Sequence, residues 1–304
     1  MLCQKTDKDN MTKEYDHLPF LSNQLGRVST SEHQLFREEG VKGKGVGCIA
    51  SQAMKRGELV LREFPQLFLP DDLAGTNLVQ QTKSILKAFS VMSKEDQARY
   101  MRLYNIYSAD CTKWSDKMRI DFQDIMGAMR QISFQSFSFE KAVRIWTIFR
   151  TNAFHKGVCL RMSRFNHSCR PNAQHFWNGD TKTRDLRALR RIKEGEELTV
   201  SYSGGLDLIS RKERRARMKE AFNFECQCEA CNLTKTEIQD ESKTFQRYNK
   251  LKLKMAKIQG TVDLAFQSGE TINVQDMMKV QAISLKKMFT LVKKIKTADK
   301  RIVL

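Results

Sequence analysis

A chain of 304 residues, 40% hydrophobic and 29% charged, has enough apolar material for a sizeable core, with one compact unit plus helical appendages expected. No apolar run approaches the roughly 20 residues of a membrane helix, and the start of the chain lacks a signal-peptide core, so neither a membrane nor a secretory route is expected. An intracellular location, cytoplasm or nucleus, follows as an expectation, and in that reducing setting the eight cysteines read as thiols or metal ligands. The Asn-x-Ser/Thr sequons at Asn10, Asn166 and Asn232 then carry no meaning.

The net charge of +18 is unevenly spread. From Ser242 to Leu304 there are 14 Lys or Arg against 4 Asp or Glu, a net +10. Such a tail suits an acidic partner such as DNA, a nucleosome or an acidic protein face, and equally suits solubility.

In chain order, residues 1–34 read as a polar leader. Gly40-Val41-Lys42-Gly43-Lys44-Gly45-Val46-Gly47 places four glycines in eight positions. The spacing fits neither a dinucleotide fingerprint nor a P-loop, and alone predicts a hairpin turn. Gly57–Glu63 alternates as a strand does, with Phe64 before proline biased to extended backbone. Over 71–141 apolar residues recur at helical spacing (Ile85, Phe89 and Met92; Ile120, Asp124, Met126 and Met129), which predicts a helical insert between β-rich parts at 35–70 and 142–205. A helix is predicted over Phe139–Phe149. Short strands are predicted at Ala173–Trp177, Arg184–Leu189 and Glu197–Tyr202, with a turn at Asn178-Gly179-Asp180. Ser210–Phe222 reads as a basic helix capped by Ser210. Beyond the segment 206–234, the region 235–304 shows helical patterns at Lys243–Ile258 and Val274–Ile295. Met277, Val280, Ser284, Met288, Leu291 and Ile295 share one face.

Three pieces carry chemistry. Cys226-x-Cys228-x-x-Cys231 supplies three thiolates in six residues, and a closed structural zinc site requires a fourth ligand. His155, Cys159, Cys169 and His175 are the available candidates. Asn166-His167-Ser168-Cys169-Arg170-Pro171-Asn172 is a dense run of polar residues, in which His167 taken alone would be a satisfied core histidine. Tyr202 closes the strand-like run Glu197–Tyr202, where a lone tyrosine is usually packing.

In this order and spacing the three pieces resemble the SET-domain protein lysine methyltransferases, and within them the SMYD-type branch. The resemblance covers about residues 35–232, with its specific motifs in 152–231. It implies an α+β fold: short sheets around a knot-like centre, a helical insert, a zinc-bound post-SET tail and C-terminal helices. It also implies S-adenosylmethionine (AdoMet) as methyl donor, with Lys44, Asn152, Ser163, Asn166, His167, Tyr202, Phe222 and Phe224 around the cofactor and channel. Tyr202 matches the catalytic tyrosine, and Cys169 the fourth zinc ligand beside Cys226, Cys228 and Cys231, pinning the tail over the central motif. Two departures stand out. Only Cys111 lies between Cys48 and Cys159, so the MYND finger of SMYD proteins is missing, and Phe222 stands where those relatives commonly carry Tyr. Val200 lies two residues before Tyr202, where many SET enzymes carry the aromatic that sets methylation degree, and yields no product assignment. The expected activity is methyl transfer to a lysine amine of a protein substrate by a monomeric enzyme. The rival readings are an inactive SET-fold binding module acting through the basic tail, and a nucleic-acid binder.

Overall fold

The computed structural model describes residues 35–69, 77–108, 111–133, 136–154, 157–202, 209–268 and 274–297. The leader expected over 1–34 and the candidate ligand His155 lie outside them. The chain forms two compact units, residues 1–202 with 217–225, and residues 203–216 with 226–304.

In the first unit, β1 (Phe36–Val41) and β2 (Gly45–Ala50) form the hairpin that the glycines predict. Gly43 and Gly45 take φ of +74° and +75°, a region that side chains with a Cβ avoid, so glycine makes the tight reversal. β3 (Leu59–Glu63) and the two-residue β4 (Leu67–Phe68) follow. After the insert come β5 (Gly157–Val158), β6 (Asn166–His167), β7 (Ala173–Asn178), β8 (Thr183–Ala188) and β9 (Glu197–Val200). They make three small sheets, ordered β1-β2-β9-β6, β3-β8-β7 and β4-β5. A bidentate Arg62–Asp185 pair, at 2.8 and 2.6 Å, ties β3 to β8 and holds the Asp185 carboxyl below its usual range. Apolar residues from both β-rich stretches, including Phe36, Cys48, Met162, Phe165, Leu186, Leu198 and Val200, share one buried core.

The insert is helical, as its periodicity predicts: α1 (Leu78–Ser90), α2 (Lys94–Met101), α3 (Asp116–Met129) and α4 (Phe139–Asn152). Each start is capped by a side chain accepting a backbone N–H: Asn77, Ser93, Ser115 and Ser138. Ile85 and Phe89 of α1, Tyr100 of α2, Ile125 and Met129 of α3 and Ile145 and Phe149 of α4 form its core. The expected α3 face needs correction. Ile120 is 58% exposed and Asp124 is exposed, and the buried side is Met118, Ile125, Ala128 and Met129. Helix α4 also runs straight across the expected 141/142 boundary, starting three residues before it and continuing to Asn152.

In the second unit, Ser210 and Glu213 form the reciprocal cap that opens α5 (Arg211–Phe222), whose later turns belong to the first unit. Then α6 (Lys235–Ser268) and α7 (Val274–Thr297) pack as a helical pair, both longer than their predicted spans. On the predicted α7 face Ser284 is buried and Met288 and Leu291 are half-buried; the side chains of Met277, Val280 and Ile295 lie outside the described ones. No described helix is long and apolar enough to cross a membrane.

Candidate active site and cysteine centre

The site grows from the pairing of β9 with two neighbours. β9 runs antiparallel to β2, with Cys48 opposite Leu198, and parallel to β6, with Asn166 opposite Thr199 and His167 opposite Val200. A two-residue parallel strand is weak by itself. Asn172 reinforces it: its amide donates to the Glu197 carbonyl at 2.8 Å and accepts from the Thr199 N–H at 2.8 Å. The Ser168 N–H adds a bond to the Val200 carbonyl at 3.0 Å. The chain leaving β9 therefore delivers Tyr202 beside Phe165 and His167.

There the Tyr202 hydroxyl donates to the Phe165 carbonyl at 3.0 Å, and its backbone N–H donates to His167 Nδ1 at 3.1 Å. Three rings surround the phenol, with centroids 4.9 Å (Phe222), 5.2 Å (His167) and 6.4 Å (Phe224) away. Burial pushes the Tyr202 hydroxyl well above its ordinary pKa, and the charges of Cys48, Glu197 and Tyr104 act the same way. It therefore stays a protonated donor at neutral pH.

His167 Nδ1 is occupied as an acceptor, so in the neutral ring Nε2 bears the hydrogen. Nε2 lies 3.3 Å from Cys169 Sγ, the geometry of an N–H directed at a sulfur. One imidazole thus orients the tyrosine backbone on one side and a candidate metal ligand on the other.

The sulfurs of Cys169, Cys226, Cys228 and Cys231 lie within 4.8 Å of one another, and none is in a disulfide. Four thiolates around a tetrahedral zinc at ~2.3 Å stand about 3.8 Å apart, so the donor set and its dimensions suit Zn²⁺. Cys228 to Asn232 forms a tight turn, with the Cys231 and Asn232 N–H groups donating to the Cys228 carbonyl at 2.7 and 2.8 Å. Arg211 Nε donates to the Cys231 carbonyl at 2.6 Å, and Arg214 Nη2 to the Ala230 carbonyl at 2.9 Å and to Glu241 at 2.9 Å. The basic face of α5 thus braces the cysteine turn. The spare candidates take other roles. His175 accepts from Arg184, and burial, helped by that neighbouring charge, lowers its pKa to about 4; the Cys159 thiol is buried and pushed well above its usual range.

Lys44 projects from the hairpin turn to Glu197, Nζ to Oε2 at 2.6 Å, and Asn166 Nδ2 donates to the other carboxylate oxygen at 3.0 Å. Gly47 makes room: a Cβ there would stand 2.6 Å from Asn166 Nδ2 and 3.3 Å from Glu197 Oε1. Asn152, at the end of α4, spends its amide on the carbonyls of Tyr104 and Ile148, at 2.7 and 2.8 Å. The Ser163 hydroxyl turns back to the Cys159 carbonyl at 2.7 Å. Both brace the backbone leading into the site. Glu63 supports the same approach, accepting the Arg161 and Met162 N–H groups at 2.9 and 2.8 Å, while its burial pushes its pKa up to about 7.

Compared with known families, residues 45–203, more than half of the chain, match the SET domain. The chain belongs to the SET-domain family. Among curated SET proteins it is 28% identical over 208 residues to the histone-lysine N-methyltransferase set5 of Schizosaccharomyces pombe, covering 68% of this chain and 53% of that one. It is 43% identical over 76 residues to the mouse histone-lysine N-methyltransferase SMYD3, covering 25% of this chain and 17% of the relative. The chain thus spans about half the length of set5 and less of SMYD3. A solved structure of Rubisco LSMT bound to AdoMet aligns with a TM-score of 0.48 at 10% identity, over 99% of this chain and 98% of that one.

Within the SET domain, sequence reasoning missed two participants. Glu197 sits in Gly195-Glu196-Glu197, where an acidic pair before a strand carries no signal of its partners. Tyr104, 58% exposed, comes beside the site through Asn152 and adds to the field at Tyr202.

Proposed function

We propose that the chain is an AdoMet-dependent protein-lysine N-methyltransferase. The observation that carries the reading is the Tyr202 hydroxyl: on a partly buried ring, bonded to the Phe165 carbonyl, inside a wall of Phe222, Phe224 and His167. When bound, AdoMet supplies an electrophilic methyl group on a sulfonium. The residues suited to hold it are Lys44, Asn166 and His167, the first two already drawn together and the third fixed by Tyr202 and Cys169.

The chemistry required of the protein is placement and exclusion of water. A lysine ammonium, with a reference pKa near ~10.4, has no lone pair to offer. Phe222 and Phe224 line an apolar approach that disfavours the charged amine. The Tyr202 oxygen and the Phe165 carbonyl then provide two polar points to orient it, and phenylalanine at 222 leaves that wall without a second hydroxyl. A zinc held by Cys169, Cys226, Cys228 and Cys231 would have a structural role, since four thiolates leave no open position. The substrate is read as a protein lysine, histone or other. The basic α6–α7 pair would add affinity for an acidic partner such as a nucleosome, and described cysteines held outside disulfides suit an intracellular location.

The direct test incubates the chain with labelled AdoMet and a proteome extract. Label on protein lysines, abolished by Tyr202→Phe, supports the proposal. AdoMet binding with no transfer to any protein would favour the rival reading of an inactive SET-fold module.

A further inference from the structure

Glu197 has no role in the reading above, yet it touches both polar residues at the glycine turn. It lies at the start of β9, opposite Ile49 of β2, with its side chain 19% exposed. Its two oxygens are divided between Lys44 Nζ and Asn166 Nδ2, 153 and 31 residues away in sequence. The bond to Nδ2 has a definite consequence. An amide presents its NH₂ on one side and its carbonyl on the other, so a carboxylate at Nδ2 aims Oδ1 away from Glu197. Among the described residues Asn166 Oδ1 has no hydrogen-bond partner. Lys44 has two further N–H groups, and its side chain is 37% exposed. The ensemble thus offers one fixed acceptor and one fixed cation side by side. That pair complements a zwitterionic amino-acid group, whose ammonium needs an acceptor and whose carboxylate needs a cation.

We propose that Glu197 is a positioning residue for the amino-acid end of the cofactor. It orients the Asn166 carbonyl toward the ammonium and holds Lys44 for the carboxylate, without touching the cofactor itself. The inference rests on AdoMet being the ligand of this site. Gly47 belongs to the same device, because any Cβ there would enter at 2.6 Å from Asn166 Nδ2 and displace the amide.

The test uses calorimetric titration of the full chain and of Glu197→Gln and Gly47→Ala, the two reaching the same amide from different strands. Three ligands are compared: AdoMet, S-adenosylhomocysteine (uncharged at sulfur) and 5′-methylthioadenosine, which lacks the amino-acid end. Removing one charge-assisted hydrogen bond should weaken AdoMet and S-adenosylhomocysteine alike by about tenfold. Methylthioadenosine should bind both variants within about twofold of wild type, a selectivity that general damage to the pocket would not leave. Unchanged AdoMet affinity in Glu197→Gln overturns the proposal. So does equal weakening of all three ligands, which would make Glu197 merely structural. Weakening of AdoMet alone overturns it too, by assigning Glu197 to the sulfonium charge. A wild-type chain that binds none of the three would instead remove the cofactor reading on which the inference rests.

Discussion

The two units bury different chemistry. In the first, buried polar groups are committed to partners: Asn172 is 2% exposed and bonded at both ends of its amide, and buried His167 accepts from the backbone of the partly buried Tyr202. In the second, α6 and α7 leave Leu253, Leu264, Leu285 and Phe289 more than half exposed among lysines. The first arrangement tolerates little change, because a buried polar group deprived of its partner retains the full desolvation cost. The second is open to substitution on its surface, and its charge acts over a distance that salt controls. The polar residues around Tyr202 thus lie in the first unit, and the exposed lysines of α6 and α7 in the second.

The strongest challenge to this contrast is Tyr202→Phe. The ring still packs, so folding and AdoMet affinity should change little, while single-turnover methyl transfer slows by roughly two to four orders of magnitude. A wild-type rate would remove Tyr202 from the mechanism. Next in size is Asn166→Ala, expected to weaken AdoMet by about 10- to 100-fold in calorimetry and to abolish turnover as a consequence.

The cysteine centre predicts about one zinc per chain by elemental analysis, released by Cys228→Ser with a lowered melting temperature. A metal-free wild type of full stability would contradict it. In the second unit, neutralising Lys250, Lys252, Lys254, Lys286 and Lys287 to Gln should leave stability within about 0.5 kcal/mol per site. DNA affinity should fall, and its dependence on salt should become shallower, the log–log slope dropping by about 0.9 for each phosphate no longer neutralised. Unaltered, salt-insensitive binding would assign this charge to solubility.

The smallest effects are linked to protons, and two groups act with opposite sign. His175 has a folded pKa near 4, below its ordinary 6.5, so the unfolded chain takes up the proton first and stability falls as pH drops from 6.5 toward 4. Glu63 has a folded pKa near 7, above its ordinary 4.5, so the folded chain takes up the proton first and stability rises as pH drops from 7 toward 4.5. In denaturant melts at pH 7 and pH 4.5, His175→Gln should lose less stability on acidification than wild type, and Glu63→Gln more. The reverse order would mean that neither environment is as the packing shows.

Local rules were legible in the chain itself. Glycines at 43 and 45 make a hairpin turn because a residue without a Cβ accepts its positive φ at little cost, and Ser210 starts α5 because its hydroxyl accepts a first-turn backbone N–H. Three cysteines in six residues offer closely spaced metal ligands, and the motifs around Asn166 and Tyr202 were enough to mark the SET family. Tertiary structure decided what depends on register between distant strands. No periodicity joins Lys44 to Glu197 across 153 positions, or reveals that Asn172 clamps β9. The same limit explains α3. An apolar residue every three or four positions names two possible faces, and the neighbouring helices selected the one with Ile125 and left Ile120 in solvent. A helical or strand pattern is set by a residue's nearest neighbours along the chain, whereas a carboxylate's partners are set by which strands the fold brings side by side.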